Sequence, residues 1–336
     1  HMLANSVSQA ACFVCANSAG NRCFKALEMM YGSREEFEYL ECSSCGCVQL
    51  LTVPDDLGRF YPESFSGRRA EITSDGALKR FLKRQRALHC LGGFNVLGAL
   101  MAAVYGRPST QMFGEPEYLG WLARCGASLS SAILDVGCGP GNLLLAMRQD
   151  GFTDLTGIDT FSSQSELRQP GLELLKCDIY ALRRQFDVIM LHHVFEHMPS
   201  PARALGALRE RLAAGGSLVI RIPVASSFAY RHYGANWVQL DAPRHLFLHS
   251  MKSMELLTHS VGLQIIDVVF DSTEFQFLGS EQYMMGIPLR DPRSFLINPR
   301  KAIFSQEDIA RYREMACRLN AQGEGDSACF FLRAVE

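Results

Sequence analysis

The chain has 336 residues, nearly half of them apolar, and a formal net charge of −2. That length exceeds one average domain and allows a core of about 200 residues plus a smaller module. The near-neutral balance argues against a protein held to nucleic acid by broad phosphate attraction, although a local basic patch stays compatible with it. The opening residues lack a basic segment followed by an apolar run, so a cytoplasmic location is expected. Six of the twelve cysteines fall within the first 47 residues. In a cytoplasmic chain such cysteines point to metal or plain burial before disulfides.

Cys12-Phe13-Val14-Cys15 and Cys42-Ser43-Ser44-Cys45 form two C-x-x-C knuckles separated by 26 residues. Each turn presents two thiolates, and two turns complete the tetrahedral sulfur set that Zn²⁺ prefers, with no position left open. Residues 1–70 are therefore expected to form a zinc-binding module whose metal is structural and drives its folding. Cys23 and Cys47 are surplus, and Cys47 is an alternative to Cys45 as the fourth ligand.

Residues 53–69 are rich in Pro, Gly and Ser and read as an irregular connection. Within it Arg59-Phe60-Tyr61-Pro62 either lines a substrate mouth or caps the neighbouring domain. Residues 71–125 read as a helical linker. The stretch from Ala77 to Tyr105 opens with Lys79, Arg80, Lys83, Arg84 and Arg86, a cluster that suits a diphosphate, RNA or anionic lipid, or else is a solvated helix face. Its apolar second half approaches membrane-spanning length. His89, Asn95 and three glycines lower its hydrophobicity, so a packed or broken helix pair is expected, with interfacial membrane contact as the alternative.

A helix is expected over Glu115–Cys125, followed by alternating strands and helices to about Asp271, the pattern of an α/β fold with a parallel sheet. Ser131 to Val136 reads as a buried strand and Asn142 to Gln149 as the helix after it. Gly137, Gly139 and Gly141 lie in the turn between them. Their G-x-G-x-G spacing lacks the third glycine of the dinucleotide fingerprint, because position 142 is Asn142. A pyrophosphate cofactor is thereby disfavoured. Asp135 at the strand end suits an ammonium group, and the glycines leave room for a thin aliphatic chain. S-adenosylmethionine (SAM) offers both.

The run Asp135 to Gly141 resembles the first motif of the class I SAM-dependent methyltransferases. Later landmarks keep the order and spacing of that family. Asp159 closes the run Leu155–Ile158, where the family places an acid on both ribose hydroxyls. Asp178-Ile179 resembles the adenine-contacting pair, and Phe186–Leu191 resembles the fourth strand, whose end faces the transferred methyl. The resemblance implies a Rossmann-like seven-stranded sheet over residues 126–336, helices on both faces and a last antiparallel strand near Ala328–Val335. It also implies a SAM site built from Asp135, Gly137, Cys138, Gly139, Gly141, Asn142, Asp159, Asp178, Ile179, His192 and His193.

After the fourth strand, His192-His193-Val194-Phe195-Glu196-His197 gathers polar groups where open α/β sheets bind ligands. The segment resembles the H-x-x-E-H turn of small-molecule methyltransferases without a catalytic metal, although His193 and His197 have helical i, i+4 spacing. A long aromatic loop over Ala225–Ser250 follows the fifth strand and is expected to carry acceptor specificity. Together with the cysteine module, its Ala242–Ser250 segment resembles sugar methyltransferases that bear an N-terminal zinc domain. The matched histidine, His245, is expected to be the general base, with Asp241 or Glu196 orienting it and Arg244 holding an anionic part of the acceptor. In that family a Tyr and a Glu precede the histidine, where this chain has Ala242 and Arg244. The departure leaves C- and O-methylation equally open.

The expected partner is a small-molecule acceptor such as a nucleotide-linked or lipid-linked sugar or a secondary metabolite. RNA methylation is a rival, since some zinc-finger methyltransferases modify rRNA, but no N/D-P-P-Y/F motif follows the fourth strand. A non-catalytic SAM-binding partner protein is the rival from another class. The sequence does not set the oligomeric state.

Overall fold

A computed structural model describes residues 7–8, 10–62, 69, 76–105, 118–162 and 165–335. Residues 63–68 of the expected connection, and the 115–117 start of the expected helix, lie outside the described residues.

The cysteine-bearing part is a small antiparallel sheet of β1 (Val7–Ser8), β2 (Asn21–Leu27), β3 (Glu36–Glu41) and β4 (Val48–Leu50). Its fifth strand, β11 (Phe247–Leu248), comes from the long loop and pairs with β4 at Phe247 opposite Gln49. One apolar core joins Tyr39, Leu40 and Val48 of this sheet to Trp237, Leu240 and Leu248 of the loop. Burying each of these side chains is worth about 1.5–3 kcal/mol, so the two parts stabilise each other.

The second sheet contains β5 (Ile133–Val136), β6 (Leu155–Ile158), β7 (Leu167–Gln169), β8 (Leu172–Leu175), β9 (Phe186–His192), β10 (Leu212–Pro223), β12 (Leu263–Phe270) and β13 (Ser327–Ala334). Its order is β12-β13-β10-β9-β5-β6-β8-β7. β8, β6, β5, β9 and β10 run parallel, while β13 is antiparallel to both β10 and β12. This is the expected Rossmann-like sheet with one addition. The eighth strand, β7, folds back on β8 because Pro170-Gly171 makes a tight turn, Gly171 taking φ +73°.

Unbroken burial along β5 reflects cover on both faces. One face packs α5 (Pro201–Glu210) and α7 (Met251–Ser260) through Leu205, Leu208, Met254 and Leu257. The other packs α1 (Ala77–Cys90), α3 (Tyr118–Arg124) and α4 (Asn142–Gln149) through Ala87, Trp121, Leu122 and Leu144. The broken helix pair expected from the linker is present. α1 ends before Gly92, at φ +95°, and α2 (Val96–Tyr105) folds back on it. A Cβ at Gly98 would lie 2.3 Å from the Gln85 carbonyl oxygen, so glycine lets these helices touch.

Three helices lie outside the elements expected from the sequence: α6 (Phe228–Tyr233), α8 (Phe275–Met284) and α9 (Gln306–Ala321). α6 lies within the long loop, and α8 and α9 pack on it through Phe277, Ala316 and Leu319, which share a core with Tyr233, Trp237 and Leu240.

Candidate active site

The carboxyl ends of β5, β6, β8 and β9 converge on the glycine loop. Gly137 and Cys138 donate their backbone N–H groups to the carbonyl of Ile158, at 2.8 and 3.1 Å, which bends the chain across the end of β6. Gly137 and Gly141 sit at φ +72° and +84°, and a Cβ at either would come 2.4 Å from Val194 or Leu174 respectively. No side chain fits at these two positions. The alternating glycines thus fold the backbone tightly and keep the cleft beside it clear. Asn142 then opens α4 on the exposed side.

Asp159 faces this loop. Its Oδ2 accepts from Gly139 N–H at 2.9 Å and its Oδ1 from Phe161 N–H at 2.8 Å, leaving lone pairs on both oxygens. Asp135 is buried behind it. Burial, and then the charge of Asp159, push the Asp135 carboxyl up to about 7. A buried carboxylate destabilised in this way is suited to a cationic partner. Burial likewise raises the Cys138 thiol. Asp178 closes a turn by accepting from Tyr180 and Ala181 N–H, with Ile179 buried beneath it. Arg69 donates to the carbonyls of Pro140 and Ser165, both at 2.9 Å, and clasps the two sides of the cleft. No sequence pattern had singled out Arg69.

The end of β9 separates His192 from His193. His192 stacks on Trp121 at 4.3 Å between ring centroids, and neither of its buried ring nitrogens has a hydrogen-bond partner among the described residues. Burial, and then the neighbouring Arg221, depress it to about 3, so it is a neutral ring. His193 turns the other way at φ +53°. Arg221, ion-paired to Asp271, donates to His193 Nε2. A guanidinium has no acceptor, so His193 Nε2 must carry a lone pair and its Nδ1 proton points to Glu196 Oε1, 3.4 Å away.

Glu196 is completely buried, and neither carboxylate oxygen has a hydrogen bond among the described residues. Burial raises its pKa, but His193, His197 and His245 around it win and hold the carboxyl down to about 2. His245 comes from the long loop. Its Nδ1 donates to the Gln239 carbonyl at 2.6 Å, which leaves Nε2 with a lone pair 3.9 Å from Glu196 Oε1 and 3.9 Å from Asp241 Oδ2. Burial, and then His197, lower His245 to about 4, while Asp241 and Glu196 act in the opposite sense. His197 is fixed through Nδ1 by the Arg244 carbonyl at 2.8 Å and meets the Tyr61 hydroxyl at 3.1 Å. Tyr61 of the Arg59–Pro62 segment therefore stands at the site.

Arg244 does not face an acceptor. It is fully buried, pairs through Nε and Nη2 with both Asp241 oxygens, and reaches Glu28 Oε1 at 3.0 Å and the Phe60 carbonyl at 3.3 Å. Asp241 is the turn residue that makes this pairing possible, at φ +39°. Burial opposes its charge, but Arg244 keeps its carboxyl below the ordinary aspartate range. The expectation that Arg244 holds an anionic acceptor is corrected on that ground: its donors are taken by Asp241, by Glu28 just after β2 and by the Phe60 carbonyl.

The cysteine quartet is assembled as the spacing required. Sγ atoms of Cys12, Cys15, Cys42 and Cys45 all lie within 4.8 Å of one another, Cys12 to Cys45 at 3.6 Å and Cys15 to Cys42 at 3.5 Å. A tetrahedral Zn²⁺ with thiolates at about 2.3 Å needs sulfurs about 3.8 Å apart, so the set fits the ion. Each knuckle closes alike: Ala16 and Gly46 take positive φ and donate to the carbonyls of Cys12 and Cys42, at 2.8 and 2.9 Å. Val14 and Cys45 N–H groups point at the sulfurs of Cys12 and Cys42. Cys47, whose Sγ lies 4.0 Å from His249 Nδ1, is not one of the four sulfurs that all lie within 4.8 Å of one another, so the geometry favours Cys45 as the fourth ligand. The Ser44 carbonyl of the second knuckle is held by Lys252 at 2.6 Å.

Comparison with known proteins agrees with this geometry. A methyltransferase-domain family model matches residues 111–268. The chain is 30% identical over 173 residues to a ubiquinone biosynthesis O-methyltransferase of Stutzerimonas stutzeri, a match covering 46% of this chain and 73% of the relative. It is 33% identical over 159 residues to the same-named enzyme of Bordetella avium, covering 42% of this chain and 65% of that one. Among solved structures, a mycolic acid cyclopropane synthase complexed with S-adenosylhomocysteine aligns over 60% of this chain and 78% of its own at 17% identity. The TM-score of that alignment is 0.39. The chain belongs to the class I SAM-dependent methyltransferases. It is a methyl-transferring enzyme with a SAM-binding fold and a four-cysteine cluster able to hold a metal ion.

Proposed function

We propose that the enzyme transfers the SAM methyl to a hydroxyl oxygen of a small acceptor, a sugar or secondary-metabolite hydroxyl, and that His245 accepts the hydroxyl proton. The observation that carries this reading is the unprotonated Nε2 of His245, aimed between two buried carboxylates, Glu196 and Asp241. Methyl transfer from a sulfonium is an in-line displacement in which positioning supplies much of the rate. A hydroxyl is a poor nucleophile until its proton leaves, and the imidazolium formed at His245 gains from both carboxylates. The likeness to O-methyltransferases of ubiquinone biosynthesis supports oxygen as the methylated atom. ¹³C-methyl SAM and a purified product test it: a methoxyl carbon resonance supports the reading, and a carbon-bound methyl overturns it.

In this account Asp135 takes the SAM ammonium, Gly137, Cys138, Gly139, Gly141 and Asn142 form the wall of its cleft, Asp159 takes the ribose hydroxyls, and Asp178-Ile179 flank the adenine. His192, whose ring nitrogens have no hydrogen-bond partner among the described residues, lines the methionine end. His193 acts through Glu196 rather than on the cofactor. Arg244 and Asp241 position the loop. Zn²⁺ on Cys12, Cys15, Cys42 and Cys45 is structural, holding the knuckles against β11 and the loop.

Two results are expected at the cofactor cleft. Asp159→Ala loses charge-assisted bonds to ribose, each worth about 1.5–3 kcal/mol, so SAM affinity measured by calorimetry falls roughly 10- to 150-fold in a folded protein. Asp135 makes SAM binding pH-linked. Free, its carboxyl titrates near 7; beside the ammonium it stays ionised. Binding therefore releases a proton, and affinity is full above that pH and weakens as pH falls through it. Calorimetry in buffers of different ionisation enthalpy reads the released proton directly, and its absence contradicts the Asp135 assignment.

A second reading is favoured by one observation: ligand atoms of Glu196, His197 and His245 lie within 4.8 Å of one another. A divalent cation held there would acidify the hydroxyl in place of the base. Activity abolished by a chelator that leaves the cysteine-bound zinc in place would select that reading.

A further inference from the structure

We propose that Arg221, braced by Asp271, is a positioning residue for methyl transfer: it fixes the tautomer of His193, and through it the orientation of Glu196 beside the base. This role rests on the reading of His245 as the base. Glu196 is completely buried with no hydrogen bond to either carboxylate oxygen among the described residues, yet His193, His197 and His245 all turn ring nitrogens toward it. A neutral histidine carries one N–H, and the nitrogen that holds it is set by the partner of the other. His245 spends its N–H on the Gln239 carbonyl at 2.6 Å, and His197 spends its own on the Arg244 carbonyl at 2.8 Å. Neither, while neutral, has an N–H left for Glu196. His193 does, because its Nδ1 lies 3.4 Å from Glu196 Oε1.

A free histidine side chain favours the proton on Nε2, which here would turn a bare lone pair toward the carboxylate. Arg221 reverses that preference. Its Nη1 donates to His193 Nε2, and a guanidinium has no lone pair with which to accept, so the proton must sit on Nδ1. Arg221 is held for this task from its other side. Its Nε pairs with Asp271 Oδ2, while Asp271 Oδ1 accepts from the Ser327 hydroxyl at 2.7 Å. The place of the ring is fixed as well. His193 sits at φ +53°, a conformation that non-glycine residues keep only where their surroundings impose it, and its backbone N–H donates to the Arg221 carbonyl at 2.9 Å.

Asp271, Arg221, His193, Glu196 and His245 thus form one line of polar groups, from the end of β12 through β10 and the end of β9 to the long loop. An ion pair that merely joined β10 to the end of β12 needs Nε alone. The use of Nη1 on a ring nitrogen is what gives Arg221 its further role. With its lone pair on Nδ1, His193 would repel the carboxylate and let it turn away from His245. The imidazolium formed during transfer would then lose one of its two fixed carboxylates.

The test is ¹H–¹⁵N spectroscopy of the full-length enzyme labelled with ¹⁵N-histidine, the His193 signals being assigned by their loss in His193→Asn. The wild type should show His193 protonated on Nδ1 and bare on Nε2, and Arg221→Met should show the reverse. Turnover, read as S-adenosylhomocysteine released in a small-molecule extract, should fall roughly 10- to 100-fold in Arg221→Met with SAM affinity unchanged. Asn places an amide N–H where Nδ1 stood and tolerates the left-handed backbone, so the double variant Arg221→Met, His193→Asn should regain most of that loss. A wild-type His193 protonated on Nε2, or a folded Arg221→Met with wild-type turnover, overturns the proposal. So does a double variant no better than Arg221→Met, the outcome of a purely structural Arg221. If Arg221→Met does not fold, the single variants decide. His193→Asn should keep turnover and His193→Gln, whose amide reaches only the Nε2 position, should lose it; equal turnover in the two overturns the proposal. The tautomer is read without an acceptor, so failure here is distinguishable from failure of the base assignment, which His245→Gln decides.

Discussion

Cys42→Ser should release the metal and unfold the cysteine sheet together with the loop that carries His245. A structural Zn²⁺ contributes an apparent binding free energy of about 10–16 kcal/mol at neutral pH, comparable to or larger than the whole stability of a typical domain. The knuckles are tied to the loop at several points. Leu50 N–H donates to the Leu246 carbonyl at 2.9 Å, the Tyr39 hydroxyl to the His245 carbonyl at 3.0 Å, and Ser250 to Cys45. Losing the ion therefore reaches the site. Elemental analysis should find one zinc per wild-type chain and none in Cys42→Ser, with a lower melting temperature and loss of turnover. Cys47→Ser should keep its zinc, because its sulfur is not one of the four that lie within 4.8 Å of one another. A metal-free wild-type protein that is folded and active would contradict the assignment.

His245→Ala and His245→Gln should lower kcat by about 10²–10⁴-fold while SAM affinity stays intact. The separation is possible because His245 lies in the Ala225–Ser250 loop, whereas Asp135 and Asp159, the proposed SAM ligands, lie at the ends of β5 and β6. The pH dependence gives an independent reading. With His245 near 4, its protonation removes activity only below that pH. The Asp135 limb near 7 is a SAM-affinity effect and should disappear at saturating SAM. A merely structural His245 would lower the melting temperature in both variants and leave kcat of the folded fraction unchanged.

The glycine turn and the acids that close β5 and β6 were legible in the sequence because their signals are local. An apolar run ending in Asp135, glycines at alternate positions and an acid closing the next apolar run are each fixed by one strand–turn–helix unit. The two C-x-x-C knuckles were readable for the same reason. What the sequence did not show arises from contacts between distant segments. Glu28 meets Arg244 across 216 positions, and β11 completes a sheet whose other strands lie two hundred residues earlier. Arg244 looked like an acceptor ligand because nothing local shows that its charge is already neutralised. α9 does carry a local signal, the capping box of Ser305-Gln306-Glu307-Asp308, whereas α8 has no side-chain cap. The seven-stranded expectation lacks β7 because three residues, two half-buried and one exposed, give too short a pattern, though Pro170-Gly171 marks its turn.

The most direct test of the central claim is incubation of the purified enzyme with methyl-labelled SAM and a small-molecule extract, with mass spectrometry of the products. The account predicts stoichiometric S-adenosylhomocysteine and a labelled methyl ether on a hydroxylated small molecule, both strongly reduced with His245→Gln. Label that appears only in RNA, or equal labelling by wild type and His245→Gln, would contradict it.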